Sequence, residues 1–189
     1  NYLDGVRLNT PIKEVILTDQ IYEGITEQEN GIKIVGGDIS SIHLEDSSVD
    51  KIACHHSFEH FQNNKDIMFI EESFRLLRKS GTLVIIPLFL SDTYAEVWNI
   101  DSVKHFDQSA DLIIDKSATL PGADPDGHFS RIYNFDSLEK RILKTAKNIG
   151  FFCEIIECEI DFKSIPNTKY NSHGSKLNSP TRALKMTKI

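Results

Sequence analysis

Between Gly36 and Phe61 the chain reads GGDISSIHLEDSSVDKIACHHSFEHF. Residues 49–54 form an apolar, strand-like run that breaks off at His55-His56-Ser57-Phe58-Glu59-His60. Titratable side chains directly after a hydrophobic strand are what a ligand site at the carboxyl end of a parallel sheet looks like. The stretch therefore predicts a buried strand, an abrupt turn and a polar cluster at the sheet edge. A second acid, Asp38, follows Gly36-Gly37 at the end of the preceding strand candidate.

The flanking segments support a sheet of this kind. Residues 14–19 (EVILTD) are a short apolar run closing on Asp19. Residues 20–30 are polar, include Gly24, and read as a loop with one helical turn. Residues 32–35 form the next strand, stopped by the glycine pair. Asn63 or Asn64 can cap a helix from Lys65 to about Lys79, with Ile67, Ile70, Phe74 and Leu77 as its apolar stripe. Ser80-Gly81 ends it. Residues 82–89 (TLVIIPLF) are apolar on both faces, as a central parallel strand requires.

Residues 91–133 break the rhythm and read as an irregular insertion or lid carrying Trp98, His105, the loop GADPDG, His128, Arg131 and Tyr133. Asp136 with Glu139 predicts a capping box for a helix over 137–149, ended by Gly150. A long strand over 151–162, a polar loop, and a last strand over 183–189 complete the chain. The alternation predicts an α/β fold: one domain over 1–189, a mostly parallel sheet with helices on both faces, and the last strand antiparallel.

Composition narrows the partners. A net charge of −7 argues against non-specific nucleic-acid or anionic-membrane binding and leaves a small molecule as the expected substrate. No apolar run approaches the roughly 20 residues a membrane helix needs. The first residues show no basic segment followed by an apolar core, so no signal peptide is expected. Cys54, Cys153 and Cys158 are odd in number and two of them lie in apolar strand-like runs, which predicts reduced thiols and a cytoplasmic location.

The segments Gly37-Asp38, Leu44 to Asp50, His56 to His60 and Glu72 to Gly81 resemble the class I S-adenosylmethionine-dependent methyltransferases of type 11. In that family a strand ends in Gly-Asp, an "LPF-x-D-x-SFD" segment follows, the next strand ends near "H-x-x-EH", and a helix bears "E-x-x-R-x-L-K-P-GG". The resemblance covers roughly residues 14–90 and implies a Rossmann-like fold with S-adenosylmethionine as cofactor and no metal. It implies that Asp19 binds the ribose hydroxyls and that Gly37, Asp38 and Ile39 lie beside adenine. It places Cys54, His55 and His56 near the methionine part. Of the family's glycine-rich first motif only Leu3-Asp4-Gly5 stands in place, with Gly5 as the remaining cofactor glycine. Either the chain begins inside the first strand or that loop has degenerated.

The implied activity is methyl transfer to an oxygen, nitrogen or carbon of a small molecule, with His56, His60 or His128 as the base. Two other readings stand beside it. A protein that has lost the cofactor loop could keep the fold as a non-catalytic binding module. His56-Ser57-Phe58-Glu59-His60 also matches H-x-x-E-H, in which two histidines on one helical face hold zinc. A dinucleotide oxidoreductase is disfavoured because GxGxxG is missing. Blander roles are available for single residues: Asp19 as a loop cap, Glu59 as a favourable charge at a helix start, His60 as partner of a backbone carbonyl.

Overall fold

The computed structural model describes residues 12–24, 26–29, 32–99, 103, 105–115, 129–158 and 181–189. By its internal contacts the chain divides into two compact units, Asn1–Glu45 and Asp46–Ile189.

The first unit carries a three-stranded sheet. Strand β1 (Val15–Leu17) runs parallel to β3 (Ile32–Val35), and β2 (Thr26–Glu29) lies antiparallel on the other side of β3. Ile32 and Ile34 sit opposite Val15 and Leu17 in that register. The single turn expected after β1 is present as a 3-10 turn, Gln20–Tyr22. Strand β2 was not expected. Its sequence, TEQE, lacks apolar alternation, so only backbone pairing with β3 defines it. Gly24, at φ 79, supplies the left-handed turn that brings the chain back. Gly36 is required for a different reason. A Cβ there would stand 1.5 Å from the Tyr22 carbonyl oxygen.

The second unit is built on a four-stranded sheet in the order β4 (Val49–His55), β5 (Leu77–Ile86), β10 (Thr181–Lys188), β9 (Phe151–Cys158). Strands β4 and β5 are parallel, while β10 is antiparallel to both β5 and β9. Strands β4, β5 and β9 therefore share one direction, and the last strand is the antiparallel one, as the sequence predicts. Leu83, Ile85, Leu184 and Met186 are fully buried on this sheet. Strand β4 is its outer strand among the described residues and buries only Cys54, less than the sequence predicts.

Helix α1 (Lys65–Leu76) links β4 to β5. Its buried face is Asp66, Phe69, Ile70, Ser73 and Leu76, which keeps Ile70 of the expected stripe and takes Asp66, Phe69 and Ser73 in place of Ile67 and Phe74, while Leu77 is buried just past the helix end. Sequence reading counted only apolar residues, whereas the innermost residue of the first turn is a carboxylate. The helix stops at Leu76, earlier than expected. Ser80 is left-handed (φ 65), and the register jumps from Val49 opposite Leu77 to Lys51 opposite Thr82, so residues 78–81 form the irregular stop.

The second helical run begins at α2 (Phe135–Leu138), passes through a π-helical turn at Glu139–Leu143 and continues as α3 (Lys144–Ile149). The capping box is real but lies two residues upstream of the expected one. Asn134 Oδ1 accepts from the Ser137 N–H at 2.8 Å, and Ser137 Oγ accepts from the Asn134 N–H at 3.0 Å. Gly150 ends the run at φ 110, as predicted. Among the described residues no helix is long and apolar enough to cross a membrane.

The expected irregular insertion contains a small sheet: β6 (Ala95–Trp98) pairs parallel with β7 (Asp111–Ile114) and antiparallel with β8 (Phe129–Ile132). Strands of four residues are too short to show a period, which is why the sequence read as unstructured here.

Candidate active site

Strand ends collect the predicted site residues in each unit. In the first, Asp19 follows β1 and Gly37-Asp38 follow β3, at the carboxyl ends of neighbouring parallel strands. The Gly37 N–H donates to the Asp19 carbonyl at 3.3 Å, which ties the two ends together. Asp38 caps the 3-10 turn Ile39–Ser41, its Oδ1 accepting from the Ser40 N–H at 3.0 Å and Ser40 Oγ at 2.7 Å. Gly37 adopts φ 139, which only glycine reaches readily, and a Cβ there would meet nothing within 4 Å. Of the glycine pair, Gly37 alone borders open space, because Gly36 is packed on the Tyr22–Glu23 peptide. Asp19 is thus exposed, Asp38 is held by Ser40, and Gly37 is uncovered.

In the second unit, Cys54 and His55 end β4, and His56 turns the chain sharply at φ 50. Such a conformation is uncommon for a residue with a Cβ. A 3-10 turn, Phe58–His60, follows. Phe58 pins it from below, stacked on Tyr133 at 6.0 Å and edge-on to Phe61 at 5.8 Å. The ring of His60 reaches β8, its Nδ1 lying 2.6 Å from the Phe129 carbonyl oxygen. A carbonyl only accepts, so Nδ1 carries the proton and donates.

Glu59 sits at the centre of this cluster. Its side chain is only 8% exposed, against 60% for His56 and 48% for His60. Oε1 lies 3.7 Å from His56 Nδ1 and 3.8 Å from His60 Nε2. Oε2 is buried and has no hydrogen-bond partner among the described residues. The Glu59 charge is felt along the strand end. The Cys54 thiol is pushed up to about 12, first by burial and then by this carboxylate. His55 is lowered, chiefly by burial and then by His56, with Glu59 acting the other way.

The zinc reading needs both imidazoles one turn apart on an α-helix. Here His56 is left-handed and His60 ends a 3-10 turn, so that spacing is not helical. Among the described residues no group of three or more His, Cys, Asp or Glu is arranged to hold a metal.

The structure also contains a buried ionic network that sequence reading missed. Asp66, Glu96, Arg131 and Tyr133 are each at most 2% exposed. Arg131 donates to Asp66 at 2.7 Å, to Glu96 at 2.9 Å, and to the Phe61 and Asn63 carbonyls at 2.9 and 3.1 Å. Tyr133 Oη and Arg141 Nε each donate to Asp66 at 2.6 Å, and Arg141 Nη2 also binds the Asn63 carbonyl. Burial and the Asp66 charge raise Tyr133 well above the usual tyrosine range. A cleft of about 280 Å³ beside the network is lined by Asn63, Asn64, His105, Asp107 and Arg141 among others. Arg131 and Tyr133, expected on a lid, are instead the inner anchors of the segment after His60. Glu72 and Arg75, from the helix motif, pair with each other at 2.6 Å, and Arg75 also binds Asp46. Gly5 and His128 lie outside the described residues.

Comparison with known proteins accords with this geometry. Residues 9–85 match the family model described as a methyltransferase domain, of type 11. No curated protein matches the chain. Among solved structures, it is similar to a chain of the Haloferax volcanii complex between the Trm112 methyltransferase activator and a candidate methyltransferase, with TM-score 0.56, 12% identity, and 98% of this chain and 76% of that one covered. It is similar to a candidate S-adenosylmethionine-dependent methyltransferase from Listeria monocytogenes (TM-score 0.53, 12% identity, 94% and 80% covered). It is also similar to an S-adenosylmethionine-dependent methyltransferase from Mesorhizobium loti (TM-score 0.53, 14% identity, 93% and 81% covered). Identities this low speak for the fold. With the domain match they bear out the resemblance to class I S-adenosylmethionine-dependent methyltransferases of type 11.

Proposed function

We propose that the chain acts as one methyltransferase domain that transfers a methyl group to an oxygen, nitrogen or carbon of a small molecule. The observation that carries this reading is the pairing of Asp19 with Gly37-Asp38 at the ends of adjacent parallel strands, inside the segment that matches a methyltransferase domain. When bound, S-adenosylmethionine supplies a methyl group made electrophilic by its sulfonium. Asp19 would accept from the ribose hydroxyls, and Asp38, oriented by Ser40, would accept from the adenine amine, with Gly37 and Ile39 completing that side. Gly5, Cys54 and His55 attend the methionine part. His56, His60 or His128 takes the acceptor's proton, and the protein's main contribution is to hold acceptor and donor in line. A cytoplasmic location accords with the free thiols of Cys54 and Cys153.

Titration of the protein with S-adenosylhomocysteine tests the reading. Saturable binding that raises the melting temperature by several degrees is expected, and Asp38→Ala should weaken it about tenfold or more. A folded protein that shows no binding would overturn it.

A further inference from the structure

We propose that Glu59 selects a cationic acceptor: its carboxylate, set between the exposed imidazoles of His56 and His60, is the partner of a protonated amino group. The inference rests on the methyltransferase reading only in calling that amine the methyl acceptor. The binding claim stands on the cluster itself.

A carboxylate oxygen accepts and cannot donate. Among the described residues Oε2 of Glu59 is buried and has no donor, and Oε1 lies 3.7 and 3.8 Å from two imidazole nitrogens, beyond hydrogen-bond distance. Among the described residues no lysine or arginine pairs with this carboxylate. The missing partner must therefore bring a proton, and a positively charged donor gains most. An anionic group entering here would meet the Glu59 charge with no lysine or arginine among the described residues paired to offset it, which discriminates against carboxylate or phosphate acceptors. The location suits a ligand, since the turn follows the carboxyl end of β4. An ammonium is not nucleophilic until it gives up a proton. His60 can take it at Nε2, because Nδ1–H is committed to the Phe129 carbonyl.

Benzylamine, benzyl alcohol and benzoate share a ring and differ in charge at neutral pH. Their dissociation constants, measured by NMR titration with and without S-adenosylhomocysteine, test the claim on the intact chain. Benzylamine should bind about tenfold tighter than benzyl alcohol, with benzoate weakest, and Glu59→Gln should bring the amine to within about twofold of the alcohol. Asp50→Asn, which removes an exposed carboxylate on β4, should leave the ranking as it is. Equal affinities, a preference for benzoate, or an amine preference that survives Glu59→Gln would overturn the proposal. If the variant does not fold, the wild-type ranking alone decides. An amine preference without S-adenosylhomocysteine binding supports the amine site and removes the methyltransferase reading. S-adenosylhomocysteine binding without an amine preference does the reverse.

Discussion

Asp66, in the first turn of α1, and Glu59, in the 3-10 turn before it, are both buried carboxylates, and the fold treats them oppositely. Asp66 receives hydrogen bonds from Arg131, Arg141, Tyr133 and the Ile67 N–H. Glu59 has an oxygen with no donor among the described residues. Two charges at similar depth thus have different purposes. The first holds α1, β8 and the π-helical turn together, and its environment is complete. The second is held in place by neighbours that leave it incomplete. Their proximity also has a use. Arg131 grips the Phe61 and Asn63 carbonyls while His60 grips that of Phe129, so the saturated network fixes the turn on which the unsaturated carboxylate sits.

The largest break comes from the saturated side. Asp66→Asn keeps the volume but removes the carboxylate that Arg141 holds and one of the two that the buried Arg131 holds. A loss of about 3–5 kcal/mol is expected from a broken buried pair, read from urea denaturation. A loss under about 1 kcal/mol would mean that water or Glu96 can replace Asp66, and the network would not be what fixes the turn.

Which of these features could be read in advance follows from how each is encoded. The strand ends at Asp19, Asp38 and His55 were legible because a run of apolar residues stopping at a polar one is a local signal. The parallel core and antiparallel last strand followed from the order of elements. Strand β2 was not legible, because polar TEQE is a strand only through its pairing with β3. The Asp66 network was also hidden. Its members come from residues 66, 96, 131, 133 and 141, and nothing local distinguishes a buried Arg131 from a surface one. The one available sign was the charged residue on the inner face of α1, where an apolar residue would be expected. Glu59 was visible as part of a cluster, but its burial between two exposed histidines was not, since a 3-10 turn gives no period to read.

On the unsaturated side the sign of the effect should reverse. Glu59→Gln removes a buried charge and gives the buried position an amide that can donate. The variant should be more stable than the parent by about 1 kcal/mol, within the 1–3 kcal/mol that an unmet buried polar group costs. Urea denaturation without ligand measures it. Together with the loss of amine preference, this would be a trade of stability against binding. Destabilisation by a similar amount would show that Glu59 already has its partners in the ligand-free protein, and its role would then match that of Asp66.

The smallest effect supplies the scale. Arg78 holds Asp50 through two bonds of 2.8 and 2.9 Å, a better geometry than Glu59 has with either histidine. Its side chains are 52% and 75% exposed, however, so water and salt screen the pair. Asp50→Asn should cost at most about 1 kcal/mol and less still at 1 M salt. The short distances at Arg78 would then carry less energy than the longer ones around Glu59, because burial sets what a missing or broken contact is worth. A cost at Asp50 comparable to that at Asp66 would break this ordering, and with it the inference that the unmet oxygen of Glu59 marks a binding site.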